Sequence, residues 1–215
     1  MDNAPTERGE TPPDADASPE PTPSERRFLL GLARRAVEAA VRHEPRPRVD
    51  ADDLTPALKR PADTFVTLYE HGDLRGCIGS RIGSQPLYEA VIENAGASAT
   101  RDPRFPAVLP SELRDLVISI SVLTPPRALS VSGPDDLRDR LQPFVHGVTI
   151  QSGTLRALYL PQVWDHFAGD ADIVASFLTS LSRKAGDFSG KLWQQPGTRF
   201  EVFEAVSFGE GDAPE

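Results

Sequence analysis

The chain has 215 residues, a formal net charge of −9 at pH 7 and one cysteine. This acidic balance argues against binding to nucleic acids or anionic membranes, since both need clustered lysine and arginine to neutralise phosphates. No apolar run approaches the roughly 20 residues that span a bilayer, and the N-terminus lacks the basic-then-apolar layout of a secretory signal. We therefore expect a cytoplasmic protein with one domain of two lobes, whose thiol has no disulfide partner.

The first 25 residues differ in composition from the rest of the chain. Residues 1–25 contain no Leu, Ile, Val or Phe and are rich in proline and acidic residues. They have nothing to bury and are predicted to form a disordered tail, as is the segment 209–215. The first folded element is predicted to be a helix over 25–43, where apolar residues recur at helical spacing and Ser24 is placed to cap the helix.

The next elements alternate between strand and helix patterns. Residues 64–70 are rich in β-branched and aromatic side chains, and a glycine-containing turn follows them. They predict a β-hairpin whose second strand runs into Cys77. A helix is predicted over 85–100, with Ser84 near its N-cap. Residues 116–123 alternate between aliphatic side chains and serine in their central part, which is typical of a half-buried strand.

The C-terminal half repeats this mixture. A short helix is predicted over 134–141, and strands over 144–150 and 156–160 form a second hairpin. A further amphipathic helix ends at Lys184-Ala185-Gly186, with a cation in its last turn and a glycine at C′. The last strand is predicted over 199–206. Strands joined mainly by hairpins, with helices between them, indicate an α+β fold with a mainly antiparallel sheet and flanking helices.

The candidate for chemistry is Cys77, which lies in a glycine-rich segment. Gly76 and Gly79 flank it, and glycine permits close backbone approaches that expose a thiol and backbone N–H groups to a cleft. A cation beside a thiol favours the reactive thiolate, and Arg75 is the nearest cation in sequence. The strand pattern leaves open whether Arg75 faces the thiol. The alternative is that Cys77 is a small buried apolar residue.

The segment Leu74-Arg75-Gly76-Cys77-Ile78-Gly79 resembles the signature hexapeptide of the AMMECR domain family, called AmmeMemoRadiSam system protein A in bacteria and archaea. The resemblance covers about residues 26–208. Further matches follow in order along the chain: Asp102-Pro103-Arg104-Phe105-Pro106, Glu112-Leu113, Ile120-Ser121-Val122-Leu123, His146-Gly147-Val148, Tyr159-Leu160-Pro161-Gln162-Val163, Phe177-Leu178 and Lys184-Ala185-Gly186.

This resemblance implies a larger and a smaller α+β lobe, with the hexapeptide near the groove between them. The system name implies two pathway partners, a Memo-like protein and a radical S-adenosylmethionine (radical SAM) protein. The chain lacks the cysteine triplet that holds an iron–sulfur cluster, so radical chemistry would belong to the partner. It also lacks zinc, calcium, P-loop and dinucleotide-binding motifs, and we expect no metal and no cofactor.

Other candidate site residues each have a structural alternative. His146 matches the family's His-Gly pair and is the candidate base for the thiol, unless it is a strand histidine whose hydrogen bonds are satisfied by the backbone. Asp102 and Arg104 follow a helix end and could hold a carboxylate or phosphate of a substrate, or form a structural ion pair. Ser121 faces either the groove or solvent.

Two functions fit these features. The leading hypothesis is a cytoplasmic small-molecule enzyme or enzyme subunit, with Cys77 as nucleophile or proton donor and His146 as its partner. The alternative is a non-enzymatic binding or adaptor module, in which the same groove accepts a peptide or the Memo-like protein.

Overall fold

The computed structural model describes residues 20–80 and 85–212, and it confirms the α+β class. The helices are α1 (Pro23–Val41), α2 (Pro56–Lys59), α3 (Leu87–Thr100), α4 (Pro134–Arg140) and α5 (Ile173–Lys184). The strands are β1 (Thr64–Glu70), β2 (Asp73–Ser80), β3 (Leu116–Leu123), β4 (Arg127–Leu129), β5 (Gly147–Ser152), β6 (Leu155–Tyr159), β7 (Arg199–Phe203) and β8 (Ala205–Gly209). They form two antiparallel sheets, with orders β2–β1–β3–β8 and β4–β7–β5–β6.

The larger lobe packs α1 and α3 against one face of the first sheet. Helix α1 begins with a capping box, in which Thr22 Oγ1 accepts the Glu25 N–H and the Glu25 carboxylate accepts the Thr22 N–H at 2.8 Å. The cap is therefore Thr22, not Ser24 as predicted, because Pro23 occupies the first helical position. Ser84, the predicted cap of α3, lies outside the described residues.

The two faces of the first sheet differ in polarity. The face against the helices is aliphatic and fully buried, with Val66, Leu68, Ile118 and Ile120 all at 0% exposure. Because successive strand side chains point to opposite faces, the other face carries the intervening residues. These are mainly polar or small: Thr67, Cys77, Gly79, Ser119, Ser121 and Ser207.

The smaller lobe is built from the second sheet, α4 and α5. Its core is centred on Trp164 and Phe177, whose rings stack with centroids 3.6 Å apart. The predicted hairpin of this lobe is present as β5 and β6. Helix α5 ends as predicted, since Gly186 follows it with a φ of +105°, a conformation that glycine adopts without steric cost.

The last predicted strand, over 199–206, is in fact two strands in different sheets. Residue Glu204 separates β7 from β8, and its N–H donates to Thr124 Oγ1 at 2.8 Å while its carbonyl accepts the Thr124 N–H at 2.9 Å. β3 and β4 lie on either side of Thr124, as β8 and β7 lie on either side of Glu204. The β3–β8 and β4–β7 pairs therefore form one antiparallel ribbon that joins the two lobes and bends at Thr124 and Glu204.

The described structure extends past the border predicted for the C-terminal tail. Glu210 pairs with Arg34 and accepts the Ile118 N–H, so ordered structure continues into the segment 209–215. Within the described part of the chain, no helix is long and apolar enough to cross a membrane.

Candidate functional site

Cys77 lies on the polar face of the first sheet, opposite the helices. It is in register with Thr67 of β1, which is in register with Ser119 of β3. The Thr67 hydroxyl donates a hydrogen bond to the Cys77 sulfur at 3.3 Å. The cysteine as a whole is half-buried.

The smaller lobe contacts this polar face of the first sheet near Cys77. Phe65, which faces the same side as Cys77, packs in an apolar cluster that joins both lobes: Phe65, Leu123, Leu158, Leu160, Phe203 and Ala205. Leu158, Leu160 and Phe203 come from the smaller lobe or its border. Cys77 therefore lies near the junction of the lobes.

The two glycines beside Cys77 are required by close packing. A Cβ on Gly76 would lie under 3.0 Å from the backbone oxygen of Ser98 in α3. A Cβ on Gly79 would lie equally close to the Phe65 ring. The Ser98 hydroxyl also accepts the Ile78 N–H at 2.9 Å. These contacts fix the backbone of β2 against α3 and β1, and thereby fix the position of the thiol.

Asp102 connects the loop after α3 to the cysteine. Its carboxylate accepts the Cys77 N–H at 2.8 Å and pairs with Arg104 through Nη2 at 2.6 Å and Nε at 2.9 Å. The side chain is only 2% exposed. The hydrogen bond from the Arg104 side chain, and then those from the backbone N–H groups of Cys77 and Arg104, lower the pKa of Asp102 to about 2 against the opposing effect of burial. The carboxylate is therefore charged at neutral pH.

Arg104 forms an ion pair with Asp102 and also contacts the backbone of Cys77. Its Nη2 group also donates to the Cys77 carbonyl at 3.3 Å, and its guanidinium lies over the Phe105 ring. Hydrogen bonding to Asp102 raises the pKa of Arg104. Its side chain is nevertheless 54% exposed, so the ion pair with Asp102 does not bury the whole guanidinium.

Arg75 is directed to another loop and does not contact the thiol. Leu68 pairs with Gly76 and Tyr69 pairs with Leu74, which leaves Arg75 as the extra residue of a β-bulge, and a bulge redirects a side chain. Its guanidinium pairs with Glu112 at 2.8 Å and donates to the Pro106 and Ala107 carbonyls. The hydrogen bond to Glu112 raises the pKa of Arg75. Arg75 thus braces the segment that carries Asp102 and Arg104.

The His146 imidazole is hydrogen-bonded to the backbone of Gln142 and not to the Cys77 thiol. His146 immediately precedes β5, is 6% exposed, and its Nδ1 accepts the Gln142 N–H at 3.1 Å. Burial, followed by the positive charge of Arg127, lowers its pKa, while Glu204 acts in the opposite direction. No hydrogen bond joins His146 to Cys77 in the described ranges. The imidazole is positioned at the bend of the ribbon between the lobes.

Ser121 shares the polar face with Cys77 but has a partner within the sheet. It is 2% exposed, and its hydroxyl forms a hydrogen bond with the Ser207 hydroxyl at 2.8 Å across β3 and β8. The Ser121 hydroxyl therefore has its hydrogen-bond partner within the sheet.

Lys184, the last residue of α5, packs on β6. It reaches back from the end of α5, where Nζ donates to the Leu158 carbonyl at 3.0 Å and lies 4.7 Å from the centre of the Tyr159 ring. Desolvation, and then the charge of Arg104, lower the pKa of Lys184, while Cys77 raises it. Its place at a helix C-terminus also has a local explanation, since a cation there is favoured by the helix dipole.

Comparison with known proteins agrees with this architecture. A family model described as AMMECR1 matches residues 30–208. The chain belongs to the AMMECR1 family. Its relatives include a protein of Methanothermobacter thermautotrophicus, 40% identical over 186 residues that cover 86% of this chain and 94% of that protein. A protein of Thermococcus kodakarensis is 39% identical, with 85% and 89% covered.

A solved structure extends the comparison to the fold of this AMMECR1 family member. The crystal structure of an uncharacterised protein from Pyrococcus horikoshii matches with a TM-score of 0.79 and 34% sequence identity, over 88% of this chain and 92% of that one. The family assignment therefore covers both lobes and the residues around Cys77. The names of these relatives state no activity.

Proposed function

We propose that the chain is a small-molecule enzyme or enzyme subunit of the AmmeMemoRadiSam type, which uses the Cys77 thiol in the groove between its lobes. The observation that supports this is the surroundings of the sulfur. Cys77 is half-buried, its sulfur accepts a hydrogen bond from Thr67, and the Arg104 guanidinium donates to its carbonyl. Hydrogen-bond donors and cations beside a thiol are the features that activate cysteine nucleophiles.

In the proposed step, the sulfur of Cys77 adds to an electrophilic carbon of the substrate. One S–C bond forms as one carbon–oxygen or carbon–carbon π bond breaks, and the thiol proton passes through solvent to the oxygen or carbon atom that receives the π electrons.

The cellular context is part of this proposal. A cytoplasmic location keeps the single thiol reduced. A Memo-like protein and a radical SAM protein would supply the substrate or consume the product, because this chain has no cysteine set for an iron–sulfur cluster. The thiol step itself requires no metal or cofactor.

Alkylation of Cys77 tests the reactivity of the site. We expect iodoacetamide to modify Cys77 in the folded protein at pH 7 faster than in the chain unfolded by urea, measured by mass spectrometry. Thr67→Val removes the donor to sulfur while keeping the side-chain volume. A hydrogen bond of about 1 kcal/mol corresponds to a roughly fivefold slower reaction.

The matched control is Ser121→Ala, which removes a hydroxyl from the same sheet face without touching the sulfur. It should leave the alkylation rate unchanged. A folded protein whose Cys77 resists iodoacetamide, although the urea-unfolded chain reacts, would show that the thiol is a packing residue and would refute the catalytic proposal.

Metabolite profiles connect the thiol to a pathway. A strain that lacks the gene and a strain that carries Cys77→Ser should accumulate the same compounds if the thiol performs the reaction. A normal profile in the Cys77→Ser strain would indicate instead that the protein acts without its thiol.

One observation favours the alternative, a binding or adaptor module. Leu74, Tyr69 and Val117 lie in register across three strands, one row beyond the Cys77 row on the same face. Leu74 is 40% exposed and Val117 is 44% exposed, and neighbouring exposed apolar side chains are typical of interaction surfaces. An adaptor would lose function with Val117→Asp and keep it with Cys77→Ser, which is the reverse of the pattern expected for the enzyme.

A further inference from the structure

Phe188 is an aromatic side chain that an ordered loop holds in solvent. It follows α5 and is 92% exposed. The carboxylate of Asp187 folds this loop. It accepts the N–H groups of Ser189, Lys191 and Leu192 at 3.1, 2.8 and 2.6 Å. Since the loop is already folded, Phe188 would lose little conformational freedom on binding to another molecule.

The same loop is tied to α5 at two points. The Asp187 N–H donates to the Ser182 carbonyl at 3.1 Å, and the Trp193 N–H donates to the Ser182 hydroxyl at 3.2 Å. Gly190 is buried at a φ of +72°, and a Cβ there would lie 2.7 Å from Thr179 Cγ2. The backbone that carries the exposed ring is therefore fixed, and aromatic side chains are enriched at the centres of protein interfaces.

A hollow of about 420 Å³ lies beside this loop along α5. Its lining includes apolar atoms of Phe167, Ala175 and Thr179 and the charged side chains of Asp170 and Arg183. Because Thr179 lines the hollow and also borders the loop, the exposed ring and the hollow belong to one surface patch. A cavity of about 150 Å³ already accepts benzene, so a phenyl ring fits into this hollow.

The charges of this patch are complementary to each other. Lys191 is exposed in the loop that carries the ring, and Asp170 is exposed at the hollow. Within residues 20–80 and 85–212, neither side chain has a hydrogen bond or an ion pair. The second carboxylate of the hollow, that of Asp172, is already paired with Arg138. A surface that carries both halves of a contact is self-complementary, as an interface with two-fold symmetry requires.

We propose that two copies of this chain form a dimer with two-fold symmetry, in which Phe188 of each copy enters the hollow on α5 of the other. Lys191 of each copy pairs with Asp170 of the other. Arg183, whose side chain has no carboxylate partner in the described part of the chain, lies over the entering ring and adds a cation–π contact. The dimer does not depend on the reaction at Cys77.

Sedimentation equilibrium of the full chain tests the dimer. We expect a concentration-dependent mass with a dissociation constant of about 10 μM. Phe188→Ser should weaken the dimer about thirtyfold, because a central aromatic side chain carries a large share of the binding energy. Phe144→Ser is the matched control, since Phe144 is a 51% exposed phenylalanine outside this patch, and it should leave the dissociation constant unchanged.

A charge exchange tests the orientation of the two copies. Lys191→Asp and Asp170→Lys should each weaken the dimer about tenfold, because like charges then face each other across the interface. The variant that carries both changes should regain most of the lost affinity, since opposite charges face each other again.

Three results would overturn the proposal. The first is a chain that stays monomeric at about 200 μM, well above the expected dissociation constant, which would leave Phe188 to a contact with a different protein. The second is a dimer that Phe188→Ser leaves intact. The third is a doubly charge-exchanged variant that dimerises more weakly than either single variant.

Discussion

Gly76→Ala should lower the free energy of unfolding by about 3 kcal/mol, the upper end of the usual cost of overpacking. The added methyl group would lie under 3.0 Å from the backbone oxygen of Ser98. This oxygen belongs to α3 and cannot rotate away as a side chain can. Either β2 or α3 must move, and the hydrogen bond between the Ile78 N–H and the Ser98 hydroxyl would be strained with it.

Urea denaturation of Gly76→Ala beside Gly31→Ala measures this effect. Gly31 is exposed within α1 and has open space around its missing side chain, so alanine there should raise stability by about 0.5 to 1 kcal/mol. Gly79→Ala should cost less than Gly76→Ala because the Phe65 ring can tilt. A Gly76→Ala protein as stable as wild type would contradict the close approach of β2 to α3.

Local periodicity was sufficient to predict most of the elements. The strand over 116–123 has the bounds that were predicted, because aliphatic side chains at every second position form the buried core face of a strand. Helix α5 is likewise set by its apolar stripe and its C-terminal glycine. Elements without such a pattern, the three-residue β4 and the four-residue α2, were missed, since they are fixed by tertiary contacts.

The change of sheet at Glu204 has no local signal. A strand pattern continues on both sides of this residue, and hydrophobic alternation reports the spacing of a strand but not the partners with which it pairs. The bend exists because Thr124 and Glu204 bond to each other. Those two residues are far apart in sequence, so no inspection of a local window reveals their pairing.

The site was predictable where its residues are close in sequence or packed on glycine. Asp102 and Arg104 were paired correctly as neighbours in one loop, and the glycines of β2 indicated a close approach. The direction of Arg75, by contrast, depends on a β-bulge that the sequence does not reveal. His146 was chosen by residue type, but its imidazole is used by the backbone of Gln142.

Asp102→Asn should lower the free energy of unfolding by about 2 kcal/mol at pH 7, because removing one member of a buried ion pair leaves its partners unsatisfied. The carboxylate is 2% exposed and accepts from the Cys77 N–H, the Arg104 N–H and the Arg104 side chain. Asparagine retains one carbonyl acceptor but places an amide N–H₂ group against these donors. Asp135→Asn, at an exposed position in α4, should change stability by no more than about 0.5 kcal/mol.

The stabilisation by Asp102 should also depend on pH with a defined sign. Its pKa in the folded protein is about 2, below the ordinary 3.8, so the folded state binds the proton less readily than the unfolded state. The stabilisation is therefore present above about pH 4 and is lost as the pH falls toward 2. The difference in unfolding free energy between wild type and Asp102→Asn, measured in urea, should shrink by about 1 kcal/mol from pH 6 to pH 3. A difference that stays constant over this range would mean that the carboxylate is not held charged by Arg104, and the ion pair that orients the guanidinium toward the groove would lose its support.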